Sequence, residues 1–255
     1  MSAASPADTA RRAIRLLDLT ELGDKATDDD VTALCARAAG PHGTVAAVCV
    51  WPRHVELAKR LVDAHGVRVA TVVNFPSGDD TVGDVVALTK AALADGADEI
   101  DLVLPYRPFL GGDTAHAAAM INAVRAASAG HTLKVILETG ELTEPAAIRA
   151  AAELAVAHGA DFIKTSTGKT PTSASLEATA IMLDVICNVA HPVGLKPSGG
   201  IRTLADAVAY LDQADAVMGP DWATPATFRF GASGLLTALQ AACEGDTGAA
   251  SKDAY

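Results

Sequence analysis

Short runs rich in Val, Ile and Leu alternate along the chain with longer Ala-rich segments whose apolar positions recur every three or four residues. The first pattern suits buried parallel strands, the second amphipathic helices. Strands are expected at 44–51, 68–75, 99–105, 134–140, 162–168, 193–200, 216–219 and 228–233. Helices are expected near 53–65, 80–95, 114–129, 144–158, 175–190, 203–213 and 233–242. Two more precede the first strand, near 7–17 and 27–39, and the link 220–227 is too short for a full helix.

The punctuation agrees with this division. Gly66, Gly96, Gly130 and Gly159 follow helical segments, as left-handed C-terminal caps do. Asp80, Thr114 and Thr203 are candidate N-caps. Repeated strand–helix alternation predicts an α/β fold, a (β/α)8 TIM barrel in which residues 1–255 form one domain. Residues 1–40 would add the N-terminal helices, and the Gly- and Ala-rich residues 244–255 a mobile tail. An open doubly wound sheet is the alternative. It is weakened because no Gly-x-Gly-x-x-Gly follows the first predicted strand.

Composition narrows the partners. Half of the 255 residues are hydrophobic and 4% are aromatic, which suits close-packed helices and parallel strands. A net charge of −11 argues against nucleic acid and against an anionic membrane surface, but a small site can still be locally positive. The four cysteines form no Cys-x-x-Cys pair, so neither a disulfide framework nor a zinc site is expected. The histidines are dispersed, no metal constellation is found, and there is no Gly-x-Ser-x-Gly elbow. Neither a signal-peptide core nor a membrane-spanning run is found, which leaves the cytoplasm as the expected location.

In such a barrel, function sits at the C-terminal ends of the strands. There the polar residues interrupt apolar runs: Asn74, Asp101, Glu138, Lys164 and Lys196. A buried ammonium is costly unless it has a task, and a neighbouring cation favours the neutral amine. At about 4 Å and an effective dielectric of about 20, that repulsion is roughly 4 kcal/mol. A neutral lysine attacks aldehydes, so Lys164 beside Lys196 points to Schiff-base chemistry. Asp101 is the candidate proton relay and Glu138 reads as structural. Gly199-Gly200, and Gly231-Ala232-Ser233-Gly234 ahead of a helix, suit a phosphate held by backbone N–H groups.

Several segments, in order and spacing, resemble the 2-deoxyribose-5-phosphate aldolase family of class I aldolases. They are Leu17-Asp18-Leu19-Thr20, Ala47-Val48-Cys49-Val50-Trp51-Pro52, Asn74-Phe75-Pro76, Ala97-Asp98-Glu99-Ile100-Asp101, Lys134-Val135-Ile136-Leu137-Glu138-Thr139-Gly140, the segments around Lys164 and Lys196, and Arg229-Phe230-Gly231-Ala232-Ser233. The resemblance implies Lys164 as the Schiff-base lysine, Lys196 as its perturbing neighbour, Asp101 as the relay and Tyr255 as a proton donor at the enamine carbon. It places Asp18, Thr167 and Lys169 in the substrate pocket and Gly199, Gly200 and Ser233 at the phosphate, beside Gly231 and Gly234. It implies no cofactor, small phosphorylated sugar and aldehyde substrates, and a homodimer. Gly234 stands where a second serine is usual, which removes one hydroxyl donor; Gly23 marks a departure from an asparagine in the first loop. A related Schiff-base lyase and a non-catalytic phosphosugar-binding barrel are the alternative functions.

Overall fold

The computed structural model describes residues 5–248. Its eight parallel strands are β1 Leu17–Glu21, β2 Ala47–Val50, β3 Arg68–Val73, β4 Glu99–Val103, β5 Thr132–Ile136, β6 Phe162–Lys164, β7 Gly194–Lys196 and β8 Phe230–Ala232. Each pairs with its neighbour in sequence from β1 to β7, and β8 pairs with β1 through Leu17 and Phe230. Bridges between Leu195 and Phe228 and between Ser198 and Gly231 bring β7 to β8, so the sheet forms a nearly closed barrel. The helices are α1 Pro6–Arg15, α2 Asp28–Ala36, α3 Val55–Val62, α4 Val82–Ala94, α5 Tyr106–Leu110, α6 Thr114–Ala127, α7 Pro145–Ala157, α8 Leu176–Cys187, α9 Leu204–Met218 and α10 Leu235–Cys243. With helices between the strands, this is the expected (β/α)8 architecture.

Two expectations fail, and they offset each other in the strand count. Residues 216–219 are not a strand: helix α9, Leu204–Met218, runs through them and stops at Gly219, where φ is 93°. The missing strand is β1, where the first helix was expected to end; that helix, α1, spans Pro6–Arg15. β1 alternates Leu17 and Leu19 with Asp18 and Thr20, all buried. Its leucines join the outer core with the helices, while Asp18 joins ion pairs inside the barrel.

Two helix starts also shift by one residue. Thr81 and not Asp80 caps α4, Val82–Ala94, and Asp113 and not Thr114 caps α6, Thr114–Ala127. Thr203 caps α9 as expected, in a reciprocal capping box with Asp206. Gly66, Gly96, Gly130 and Gly159 all have the positive φ of their predicted role.

The apolar faces of the helices cover the outward faces of the strands in one continuous core. α1 lies against α10, Leu235–Cys243, and the Arg12 guanidinium donates twice, at 2.6 Å each, to Asp215 of α9. A separate apolar cluster, Leu22, Ala47, Cys49, Ala70 and Val72, involves β2 and β3. A Cβ on Gly194 would overlap the Phe162 ring, so β6 and β7 approach closely where they begin. Among the described residues, no helix is long and apolar enough to cross a membrane.

Candidate active site

β6 and β7 end at Lys164 and Lys196, which are partners in the parallel register. Successive side chains alternate across a strand, so residues two apart share a face. On β4 this gives Glu99 and Asp101, and β5 adds Lys134. Asp18 comes from β1, and Arg229 immediately precedes β8. All seven side chains are buried and linked.

Asp101 is the hub. Its Oδ2 accepts from Lys164 Nζ at 2.9 Å and from Lys196 Nζ at 2.8 Å; its Oδ1 accepts from Lys134 Nζ at 2.8 Å. Lys196 also donates to Asp18 Oδ2 at 2.5 Å, and Lys134 lies 2.5 Å from Glu99 Oε2. Arg229 donates to Asp18 Oδ1 at 2.6 Å and Glu99 Oε1 at 2.9 Å. The buried members of the cluster are four cations, Lys134, Lys164, Lys196 and Arg229, against three carboxylates, Asp18, Glu99 and Asp101, with the exposed Arg68 reaching Glu99 at 3.7 Å from outside. Burial makes an uncompensated charge costly, so the arrangement favours the loss of one proton.

The carboxylate neighbours of each lysine decide which proton. Burial lowers the pKa of every lysine here, but the carboxylates that oppose it are shared unequally. For Lys196, Asp101 and Asp18 overcome burial, and its pKa is raised well above the ordinary value. For Lys134, Asp101 and Glu99 do the same. Lys164 has Asp101 alone, at an oxygen it shares; burial prevails, with Lys196 adding to it, and the pKa falls. Burial is therefore the larger cause and the neighbouring cation the smaller one. Asp101 shows the opposite balance: burial would raise it, but Lys134, Lys164 and Lys196 hold it well below the carboxylate range.

The segment after Lys164 is held by Glu138, which has a left-handed backbone with φ 59°. Its buried carboxylate accepts from the Thr167 N–H at 3.2 Å and from Thr167 Oγ1 at 2.5 Å. Burial raises the Glu138 pKa against these hydrogen bonds. Lys169 Nζ donates to Asp24 at 2.9 Å, joining the β6 loop to the loop after β1. Lys169 is outside the lysine cluster, whereas Asp18 lies within it.

Gly199, Gly200, Gly231, Ser233 and Gly234 all line one cavity of about 350 Å3, together with Gly168 and Arg202. Gly199 and Gly200 have φ of 83° and 81°, and a Cβ on Gly199 would lie 2.6 Å from Ser173 Oγ. Only glycine fits that turn without strain. Gly234 occupies the N-cap of α10 and has no side chain to cap it, leaving backbone donors at a positive dipole end. A wider hollow of about 1120 Å3 opens at the other end of the barrel, beside Arg68, Glu99, Thr132 and Phe162. Those residues begin their strands, and Lys164 and Lys196 lie at the opposite ends.

Sequence reading missed Lys134, Glu99 and Arg229 as site residues, and Arg202 as a cavity residue. Lys134 carried the same signal as Asp101, a charge inside an apolar strand, as in Leu133-Lys134-Val135. Tyr255 and the end of the expected tail lie outside the described residues.

Residues 12–241 match the sequence profile of the DeoC/LacD family aldolases. A deoxyribose-phosphate aldolase from Agrobacterium fabrum is 54% identical over 233 residues, covering 91% of this chain and 90% of that protein. A Toxoplasma gondii structure, provisionally named a deoxyribose-phosphate aldolase, superposes with a TM-score of 0.87 at 28% identity, covering 96% of this chain and 99% of that one. A tetrameric deoxyribose phosphate aldolase from Aeropyrum pernix gives 0.74 at 26% identity, with coverages of 93% and 92%.

Proposed function

The chain belongs to the DeoC/LacD family of aldolases, and we propose that it reversibly cleaves 2-deoxy-D-ribose 5-phosphate to D-glyceraldehyde 3-phosphate and acetaldehyde through a Schiff base on Lys164. The observation that carries this reading is that Lys164 and Lys196 end adjacent strands and share one oxygen of Asp101, while Lys196 and Lys134 each have a second carboxylate and Lys164 has none.

Neutral Lys164 attacks the open-chain aldehyde at C1, and loss of water gives an iminium. The Asp101 carboxylate, held ionised and bonded to both Lys164 and Lys196, receives the C3 hydroxyl proton directly or through water. The C3–O electrons form the carbonyl of the leaving aldehyde. The C2–C3 pair moves toward the iminium and leaves an enamine. Protonation at C2, a role proposed for Tyr255, and hydrolysis of the resulting imine release acetaldehyde and restore Lys164. The glycine-lined cavity holds the phosphate and fixes the reacting bond against Asp101. Thr167 is proposed to line the pocket from its Glu138 support, and Lys169 to line its rim.

We extend the reading to a cytoplasmic homodimer acting in deoxyribonucleotide breakdown. Borohydride reduction in the presence of deoxyribose 5-phosphate, followed by peptide mass mapping, tests the chemistry. The expected adduct is on Lys164. A folded protein that gives neither an adduct nor released aldehyde would overturn the proposal.

A further inference from the structure

Ser198 Oγ is fully buried and has no hydrogen-bond partner among the described residues. The backbone around it is well satisfied: Ser198 N–H donates to Thr165 Oγ1 at 2.9 Å, and its carbonyl accepts from the Ala174 N–H at 3.2 Å. Only the hydroxyl is left over. Native interiors keep few such groups, because a buried hydroxyl without a partner has lost its water and gained nothing.

Its position is specific. Ser198 follows Lys196 by two residues and bridges Gly231 of β8. A methyl group built on Gly231 would run into Ser198 Oγ and come within 3.1 Å of Lys196 Cε. The hydroxyl and the end of the Lys196 side chain therefore both pack against Gly231, where any larger residue would displace them. Gly199 and Gly200 follow at once and line the anion cavity, with Gly231 in its wall. Along this edge of the barrel the order is ammonium–carboxylate pair, free hydroxyl, then glycine cradle.

We propose that Ser198 Oγ is a specificity-determining group that hydrogen-bonds the C4 hydroxyl of the phosphosugar. The inference rests on the reading of the site given above. In that reading C1 is bound to Lys164, the C3 hydroxyl meets Asp101, and the C5 phosphate lies in the glycine cavity. The C4 hydroxyl lies between the last two, as Ser198 lies between Lys196 and Gly199. A hydroxyl both donates and accepts, so it can serve a sugar hydroxyl in either sense. A site built to bond a substrate hydroxyl discriminates against the analogue that lacks it.

The test pairs the variant Ser198→Ala with two substrates, deoxyribose 5-phosphate and its 4-deoxy analogue. For the parent substrate, kcat/KM falls about 10-fold, the weight of one neutral hydrogen bond. For the 4-deoxy analogue it changes by less than about 2-fold, because that substrate offers nothing to Ser198. Ser198→Gly, measured alongside, shows the same split. Equal losses on both substrates would mean that Ser198 only shapes the loop, and no loss on the parent would mean that the hydroxyl is not used; either overturns the inference. Wild-type protein that cleaves neither substrate would instead refute the proposed activity, a result read before any variant is made.

Discussion

Lys164 and Lys196 stand in register on adjacent parallel strands and donate to a single oxygen, Oδ2 of Asp101. That oxygen raises the proton affinity of both, yet only Lys196 has a second carboxylate close by. Asp101→Asn removes the one ionic interaction that keeps a proton on Lys164, so imine formation should persist at neutral pH. Cleavage should fall about 10²–10⁴-fold, because the proposed relay is lost. Borohydride trapping and aldehyde release, measured together, separate the two steps. Parallel loss of both would remove Asp101 from the relay role.

Lys196→Leu changes the charge balance. Without Lys196, three cations face three carboxylates when Lys164 is protonated, and a repulsive neighbour has gone. Lys164 should then hold its proton to higher pH. The rising limb of the rate profile is expected to move upward in pH, and an unmoved limb would refute the coupling.

Lys164 has a folded-state pKa below its unfolded value, so between the two the unfolded chain binds more protons and stability rises with pH. Lys164→Met removes this group and its burial cost. The variant should be inactive yet more stable at neutral pH, by about 1–4 kcal/mol on the scale of buried ion-pair replacements. Its advantage should shrink as pH approaches about 10, where the unfolded lysine also loses its proton. Denaturant unfolding across pH 6–10 measures this, and an advantage that grew with pH would contradict the sign.

Gly234 has φ −88° and ψ −19°, a conformation open to any L residue. Gly234→Ser would add a hydroxyl beside Ser233 at the mouth of the cavity. KM for the phosphorylated sugar is expected to fall several-fold with little change for unphosphorylated deoxyribose. Equal effects on both substrates would mean that this helix end does not hold the phosphate.

Elements with one apolar face and one polar face were most legible where the polar face meets solvent. The Ala-rich helices follow that rule, and their glycine ends fall where expected. β1 lacks that cue: Asp18 points into a charged barrel interior and Leu17 outward into the core, and only Leu17 fell within an expected element, the end of the first helix. Residues 216–219 failed for the opposite reason, since a short apolar run at a helix end has no period of its own. Lys164, Lys196, Asp101 and the glycines were visible because each interrupts or follows a run that would otherwise be apolar. Lys134 was the first residue of its predicted segment, and its ion pairs with Glu99 and Asp101 depend on which side chains of β4 and β5 share the inner face.

Arg229 and Asp18 bond across 211 positions of sequence, and the barrel closes at the same seam. Synthesis therefore releases the carboxylate early and the guanidinium nearly last. Until Arg229 arrives, Asp18 and Glu99 lack the guanidinium that pairs with both of them. Contacts this distant also form slowly. The last strand to be made therefore brings the charge that the first strand has waited for, and sealing the ring and pairing that carboxylate become one event.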